Sequence, residues 1–87
     1  MEDFTKLPNI GPILAEKLNL IGVATFDDLV KMGSVEAVIW IGQTDRSGCY
    51  NMLYALEGAI RGIRWHAIPK NERAQLKVKF EELIKLV

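Results

Sequence analysis

The sequence holds one histidine, His66, and one cysteine, Cys49, and neither has the neighbours that catalysis requires. A general base or nucleophile needs a partner within hydrogen-bond reach, and no Ser, Cys or Asp lies at a spacing that ties it to His66. Cys49 falls on an apolar helical stripe and reads as a buried thiol. No Cys and His cluster has metal-ligand spacing, and no phosphate-cradling glycine loop of the P-loop type is present. No catalytic residue, metal or cofactor is therefore expected, no small-molecule substrate is evident, and the chain is not expected to be an enzyme.

Two groups remain whose chemistry is binding. The first is Arg61, Arg64, Trp65, His66 and Lys70, the one concentration of basic and aromatic side chains in the sequence. Cations beside an indole can grip phosphates or stack on bases. The same residues have a structural reading, with Trp65 filling a helix corner, His66 capping a carbonyl and the arginines compensating a helix C-terminus. The second group is the turn Asn9-Ile10-Gly11 with the helix start behind it. A tight turn feeding a helix N-terminus presents backbone N–H groups and the positive end of the helix dipole to a phosphate, without reading base sequence. Asn9, Ile10, Gly11, Ile13 and Leu14 are the phosphate-contact candidates there. Pro12 removes one donor N–H from that set.

Charge limits what either group can do. Eleven Lys and Arg balance eleven Asp and Glu, so an indiscriminate polyanion binder is excluded and any nucleic-acid contact is local. The balance is uneven along the chain. Up to residue 43, Lys6, Lys17 and Lys31 face six acids, a net of −3, and the remainder carries +3. The half with the turn is thus the acidic one, which favours a structural use of that turn.

The elements that position these groups follow from helix start and stop signals. Pro12 suits a first helical position and Gly22 a left-handed cap, giving a first helix with Leu14, Ala15, Leu18 and Ile21 on its apolar face. Thr25 with Asp28 makes a capping box for a short helix from Phe26 to Met32 that closes at Gly33. Ser34 is expected to cap a third helix, from Val35 to about Ile41, with Trp40 in the core. The polar run from Gly42 to Gly48 reads as a loop. Beyond it Cys49, Met52, Leu53, Leu56, Ala59, Ile60 and Ile63 recur at helical spacing. Gly58 and Gly62 lie four apart on this central helix, which points to close packing at Gly58 and a C-terminal cap at Gly62. A last helix starts at Pro69 and runs to Leu86, with Leu76, Phe80, Leu83 and Val87 on one stripe. The strand-like alternation at Val78 is outweighed by the Glu and Lys around it.

The expected fold is all-α, a compact bundle of about five short helices forming a single domain over residues 1–87. The 87-residue length, 49% hydrophobic content and 25% charged content suit one core. A chain this short buries only about 60–65% of its unfolded surface, so dimerisation is a reasonable expectation. No apolar stretch reaches the roughly 18 residues of a membrane span, and the acidic start, Glu2 and Asp3, does not resemble a signal peptide. With its single cysteine, the chain is expected to be cytoplasmic, with no membrane contact.

The segment from Leu7 to Gly22 resembles a helix-hairpin-helix motif of the SAM-like kind, placed at about residues 7–32. Ile10 and Gly11 match the pattern in which two glycines flank an apolar plug, and Asn9 stands where the first glycine belongs. Asparagine tolerates the left-handed region better than other non-glycine residues, so the turn is expected to form. Adding the run Leu53-Tyr54-Ala55-Leu56-Glu57-Gly58-Ala59 with Trp65 and His66, Thr25 to Leu29, and Val35 to Ala37, nearly the whole chain resembles the C-terminal domain of the TfoX (Sxy) competence regulators. The resemblance implies a bacterial protein with a regulatory role and DNA as partner. Members that regulate competence carry a further N-terminal α/β domain for which this sequence has no room, so activation of competence genes is not implied.

The leading expectation is therefore a non-catalytic, TfoX C-terminal-like module with a regulatory, DNA-associated role through weak backbone contacts. The alternative is a protein-interaction or self-association module, with a protein partner or a second copy of the chain in a homodimer, in which the hairpin is purely structural. There Ile13, Tyr50 and Tyr54 supply the exposed apolar contacts. Salt separates the two, because phosphate contacts weaken steeply with ionic strength and an apolar interface does not.

Overall fold

The helix boundaries fall close to the start and stop signals. The computed structural model describes residues 2–42 and 46–86, the side chains at 46 and 47 aside. In chain order the described residues form a 3-10 turn, Phe4–Lys6, then α1 (Pro12–Leu20), α2 (Phe26–Met32), α3 (Ser34–Ile41) and α4 (Arg46–Arg61). A second 3-10 turn, Trp65–Ala67, leads to α5 (Lys70–Ile84). Every regular element among the described residues is helical, so the fold is all-α. None of the described helices is long and apolar enough to cross a membrane.

Two glycines end helices in the same way. Gly22 and Gly62 sit at φ of 89° and 74°. The N–H after each glycine reaches back over a full turn, Val23 to the Leu18 carbonyl at 3.0 Å and Ile63 to the Gly58 carbonyl at 2.9 Å. This pairing satisfies carbonyls that a helix end leaves open. Ile63 therefore lies beyond α4 and not on its stripe.

At α2 the capping box is complete. The Thr25 hydroxyl accepts the Asp28 N–H at 3.0 Å, and the Asp28 carboxylate accepts the N–H groups of Ala24 and Thr25 at 3.2 and 3.1 Å. Glu2 adds a carboxylate that accepts the Phe26 N–H, tying the start of the chain to the same helix end. The Ala24 bond first, and then Thr25, hold the Asp28 carboxyl below the ordinary aspartate value. A depressed folded pKa gives stability above the unfolded pKa and loses it as pH falls through the folded value. The urea midpoint is thus expected to fall below about pH 4, and Asp28→Asn should remove part of that dependence. Identical pH profiles for the two proteins would show that Asp28 is not its source.

The core gathers Phe4 and Ile10 from the start of the chain, Leu18 from α1, Leu29 from α2, Ala37 and Val38 from α3, Leu53, Leu56 and Ala59 from α4, and Phe80 from α5. Each fully buried leucine or phenylalanine contributes about 2–3 kcal/mol. The helix α4 is central and touches α2, α3, α5 and the second 3-10 turn. The radius of gyration, 11.9 Å, matches the roughly 12 Å of a compact chain of this length.

Several expectations are corrected. Trp40 is not in the core; it is 65% exposed. Apart from Ser34 and Glu36, α3 is apolar, so its composition does not single out an inward face, and the side that α1, α2 and α4 cover is Ser34, Ala37, Val38 and half-buried Ile41. Trp40 falls instead on the face of exposed Glu36, one turn earlier. Ser34 is not a cap. Gly33, at φ 83°, holds the N-cap position, and the buried Ser34 hydroxyl donates to Glu57 at 2.8 Å. The polar run is helical from Arg46 on, because polarity alone does not separate a loop from the first turn of a helix. Its residues 43–45 lie outside the described residues. On α5 the inward stripe is Leu76, Phe80 and Ile84, while Leu83 is 39% exposed. Val87 also lies outside the described residues.

Candidate functional site

The turn before α1 is held by one side chain. Asn9 has φ 69°, the single described non-glycine residue in the left-handed region. Its amide nitrogen donates to the carbonyls of Ile63 at 3.0 Å and Ala55 at 3.3 Å, and its amide oxygen accepts the Trp65 N–H at 3.2 Å. Ile10, 5% exposed, plugs the core behind it. The polar group of Asn9 is thereby spent on the other end of the chain. Gly11 adopts an extended φ of −93°, so the conformational demand of the turn rests on Asn9.

This clasp joins the two sequence candidates, some fifty residues apart, into one surface. One cleft, of about 410 Å³, is lined by Asn9, Asn51, Tyr54, Arg64, Trp65 and His66. An adjoining one, of about 500 Å³, has Lys6, Asn9, Ile10 and Arg64 on its wall. Asn9 and Arg64 are shared by both. Three rings form a ladder across the first cleft. Tyr54 and Trp65 lie 6.4 Å apart at 20°, and Trp65 and His66 lie 3.9 Å apart at 30°. Arg73 from α5 sets its guanidinium 5.6 Å from the Trp65 ring centre. His66 is exposed, and stacking is a contact that any base can use.

The other sequence-predicted residues are placed differently. Arg61 turns away into an ion-pair chain, donating to Glu57 at 2.8 Å and Glu72 at 2.7 Å. Those two carboxylates, Glu57 foremost, hold its guanidinium still more firmly charged. Lys70 is exposed at the first position of α5. At the start of α1, Gly11 and Ile13 are exposed and Leu14 is half-buried. The backbone N–H groups of a first helical turn have no intrahelical partner, so those of Ile13 and Leu14 are the donors that turn can offer.

Tyr50 and Tyr54 do not form a free apolar patch with Ile13. The Tyr50 hydroxyl donates to Glu81 at 2.7 Å and its ring meets Phe80 edge-on, while Tyr54 belongs to the ladder. Sequence reasoning missed Lys6, whose signal was its place just before the turn. It also missed a groove of about 930 Å³ that lies between α3 and α5 and includes Arg61 alone of the sequence-predicted site residues.

Comparison with known proteins gives a consistent picture. The model of the TfoX C-terminal domain matches residues 1–80. A crystal structure of an uncharacterised protein from Listeria monocytogenes, in a triclinic form, is 40% identical and superposes with a TM-score of 0.82, covering 94% of this chain and 93% of that one. A tetragonal crystal structure of a protein of unknown function from the same organism is 41% identical, with a TM-score of 0.80 and coverage of 93% and 99%. No curated protein matches the chain.

Proposed function

The chain belongs to the TfoX C-terminal domain family, and on that premise we propose that it is a non-catalytic regulatory module of the bacterial cytoplasm that contacts DNA through backbone phosphates. The contact surface is where the Asn9 turn meets the corner between α4 and α5. One observation carries this reading: the Asn9 clasp sets Lys6 and Arg64, 58 residues apart in sequence, on one cleft that adjoins an aromatic ladder of half-buried Tyr54 and Trp65 and exposed His66. Cations flanking stacked rings suit a phosphate backbone with a base lying against a ring. The non-catalytic part is supported by Cys49 lying in the core and the His66 ring lying against Trp65.

Fluorescence anisotropy with labelled duplex and single-stranded DNA, at about 50 mM and about 200 mM salt, tests the proposal. Two phosphate contacts predict roughly a tenfold loss of affinity across that range. Lys6→Glu and Arg64→Glu should each weaken binding further and flatten the salt dependence by about one contact. Absence of binding at the lower salt, or affinity unchanged in both variants, would reduce the turn and corner to scaffold.

A further inference from the structure

We propose that the groove between α3 and α5 is the contact face of a two-fold symmetric dimer of this chain, in which Trp40 of each copy seats in the groove of the other. The groove is walled by Val35, Ile39 and Trp40 on one side and by Leu76, Leu83 and Leu86 on the other. Trp40 is 65% exposed, Leu83 39% and Leu86 80%, so large apolar side chains on both walls meet water in the single copy, with Glu36, Glu57, Arg61 and Lys79 among them. Patches of this kind on small soluble domains mark interaction surfaces.

Shape and charge together point to a second copy as the occupant. A two-fold interface uses one patch twice, so the patch must carry both a projection and a recess to receive it. Here the projecting indole stands on the rim of the recess itself. Tryptophan is also the side chain most enriched among residues that dominate interface energy. The rim charges are self-complementary as well. Glu36 lies on the α3 wall one turn before Trp40, and Lys79 lies on the α5 wall. A two-fold axis that lays α3 of one copy along α5 of the other pairs Glu36 with Lys79 twice. The chain's net charge of zero adds no long-range repulsion between copies. This face shares no residue with the Asn9, Arg64, Trp65 and His66 surface, so the inference does not depend on DNA binding.

Sedimentation equilibrium of the full chain, from about 1 μM to about 1 mM, reads the outcome directly. The expected mass rises with concentration from 9.8 kDa toward twice that value. Trp40→Ala should weaken association about tenfold or more while leaving the helical circular-dichroism signal unchanged, because the indole contributes little to the core. Glu36→Lys and Lys79→Glu should each be monomeric alone. Mixed one to one they should form a heterodimer, since both cross-pairs are then opposite in charge. A wild type that stays monomeric over the whole range overturns the proposal, as would a dimer untouched by Trp40→Ala. Charge variants that fail to recombine on mixing overturn it equally, whatever other partner the groove accepts.

Discussion

Replacing Asn9 by alanine is expected to destabilise the protein by about 3–4 kcal/mol, more than any surface substitution elsewhere. The change removes the bonds to the Ile63 and Ala55 carbonyls and to the Trp65 N–H in one step. Ala55 sits inside α4 and keeps its helical partner, but the Ile63 carbonyl and the Trp65 N–H lose theirs, at about 1–1.5 kcal/mol for each part-buried bond. A further 1 kcal/mol or so comes from forcing alanine to φ 69°. Asn9→Gly relieves that last part alone and should lie about 1 kcal/mol above Asn9→Ala. Urea denaturation of the three proteins separates the contributions through the midpoint at constant slope. Should Asn9→Gly match the wild type, the side-chain bonds contribute nothing. Equal stability of the two variants would remove the backbone contribution.

The second large effect is at Gly58, where intuition from helix propensity gives the wrong sign. In an exposed helix interior, alanine would gain about 1 kcal/mol over glycine. A Cβ on Gly58 would instead stand 2.5 Å from the Asn9 amide nitrogen, 2.8 Å from the Ile63 carbonyl oxygen and 3.2 Å from the Trp65 nitrogen. Two of these are backbone atoms of the helix corner, and the third belongs to a side chain locked by its own bonds. Gly58→Ala should therefore cost about 2 kcal/mol net, seen as a melting temperature lower by about 10 °C, and Gly58→Val more. The two sites share one space, so their effects should not add. In an Asn9→Gly background the shortest contact is gone, and Gly58→Ala should cost about 1 kcal/mol less. Additivity within about 0.5 kcal/mol would mean that Asn9 and Gly58 do not pack against each other. DNA affinity offers an independent readout, because loosening this clasp separates Lys6 from Arg64 without altering either cation.

Much of the architecture was legible in the sequence. Thr25 with Asp28, Pro12, Gly22, Gly42 and Gly62 marked helix ends that lie at or next to the observed ones. Ile10 as the plug, Asn9 as the left-handed residue and Gly58 as a point of close approach were readable as well. The helix ends and Asn9 depend on a dihedral preference or on bonds between residues a few positions apart, and Gly58 stood out because glycine inside a helix costs about 1 kcal/mol against alanine. Other features were not readable. Ser34 looked like a cap because serine before an apolar run often is one. Its hydroxyl instead answers Glu57, twenty-three residues away, whose position depends on how α4 crosses α3.

What the sequence by itself determined, then, is where the helices start and stop and which turns the chain can make, since those follow from short-range sterics and local hydrogen bonding. Only the tertiary structure decided which apolar side chains are left in water and which cations share a surface. Trp40 and Val38 are both apolar residues of one helix, yet Val38 is 1% exposed and Trp40 65%. Lys6 and Arg64 line one cleft although the sequence holds them far apart. Period and composition are properties of a single element, whereas burial and proximity depend on which other elements arrive and from what side, and that choice is made by the packing of the whole core at once.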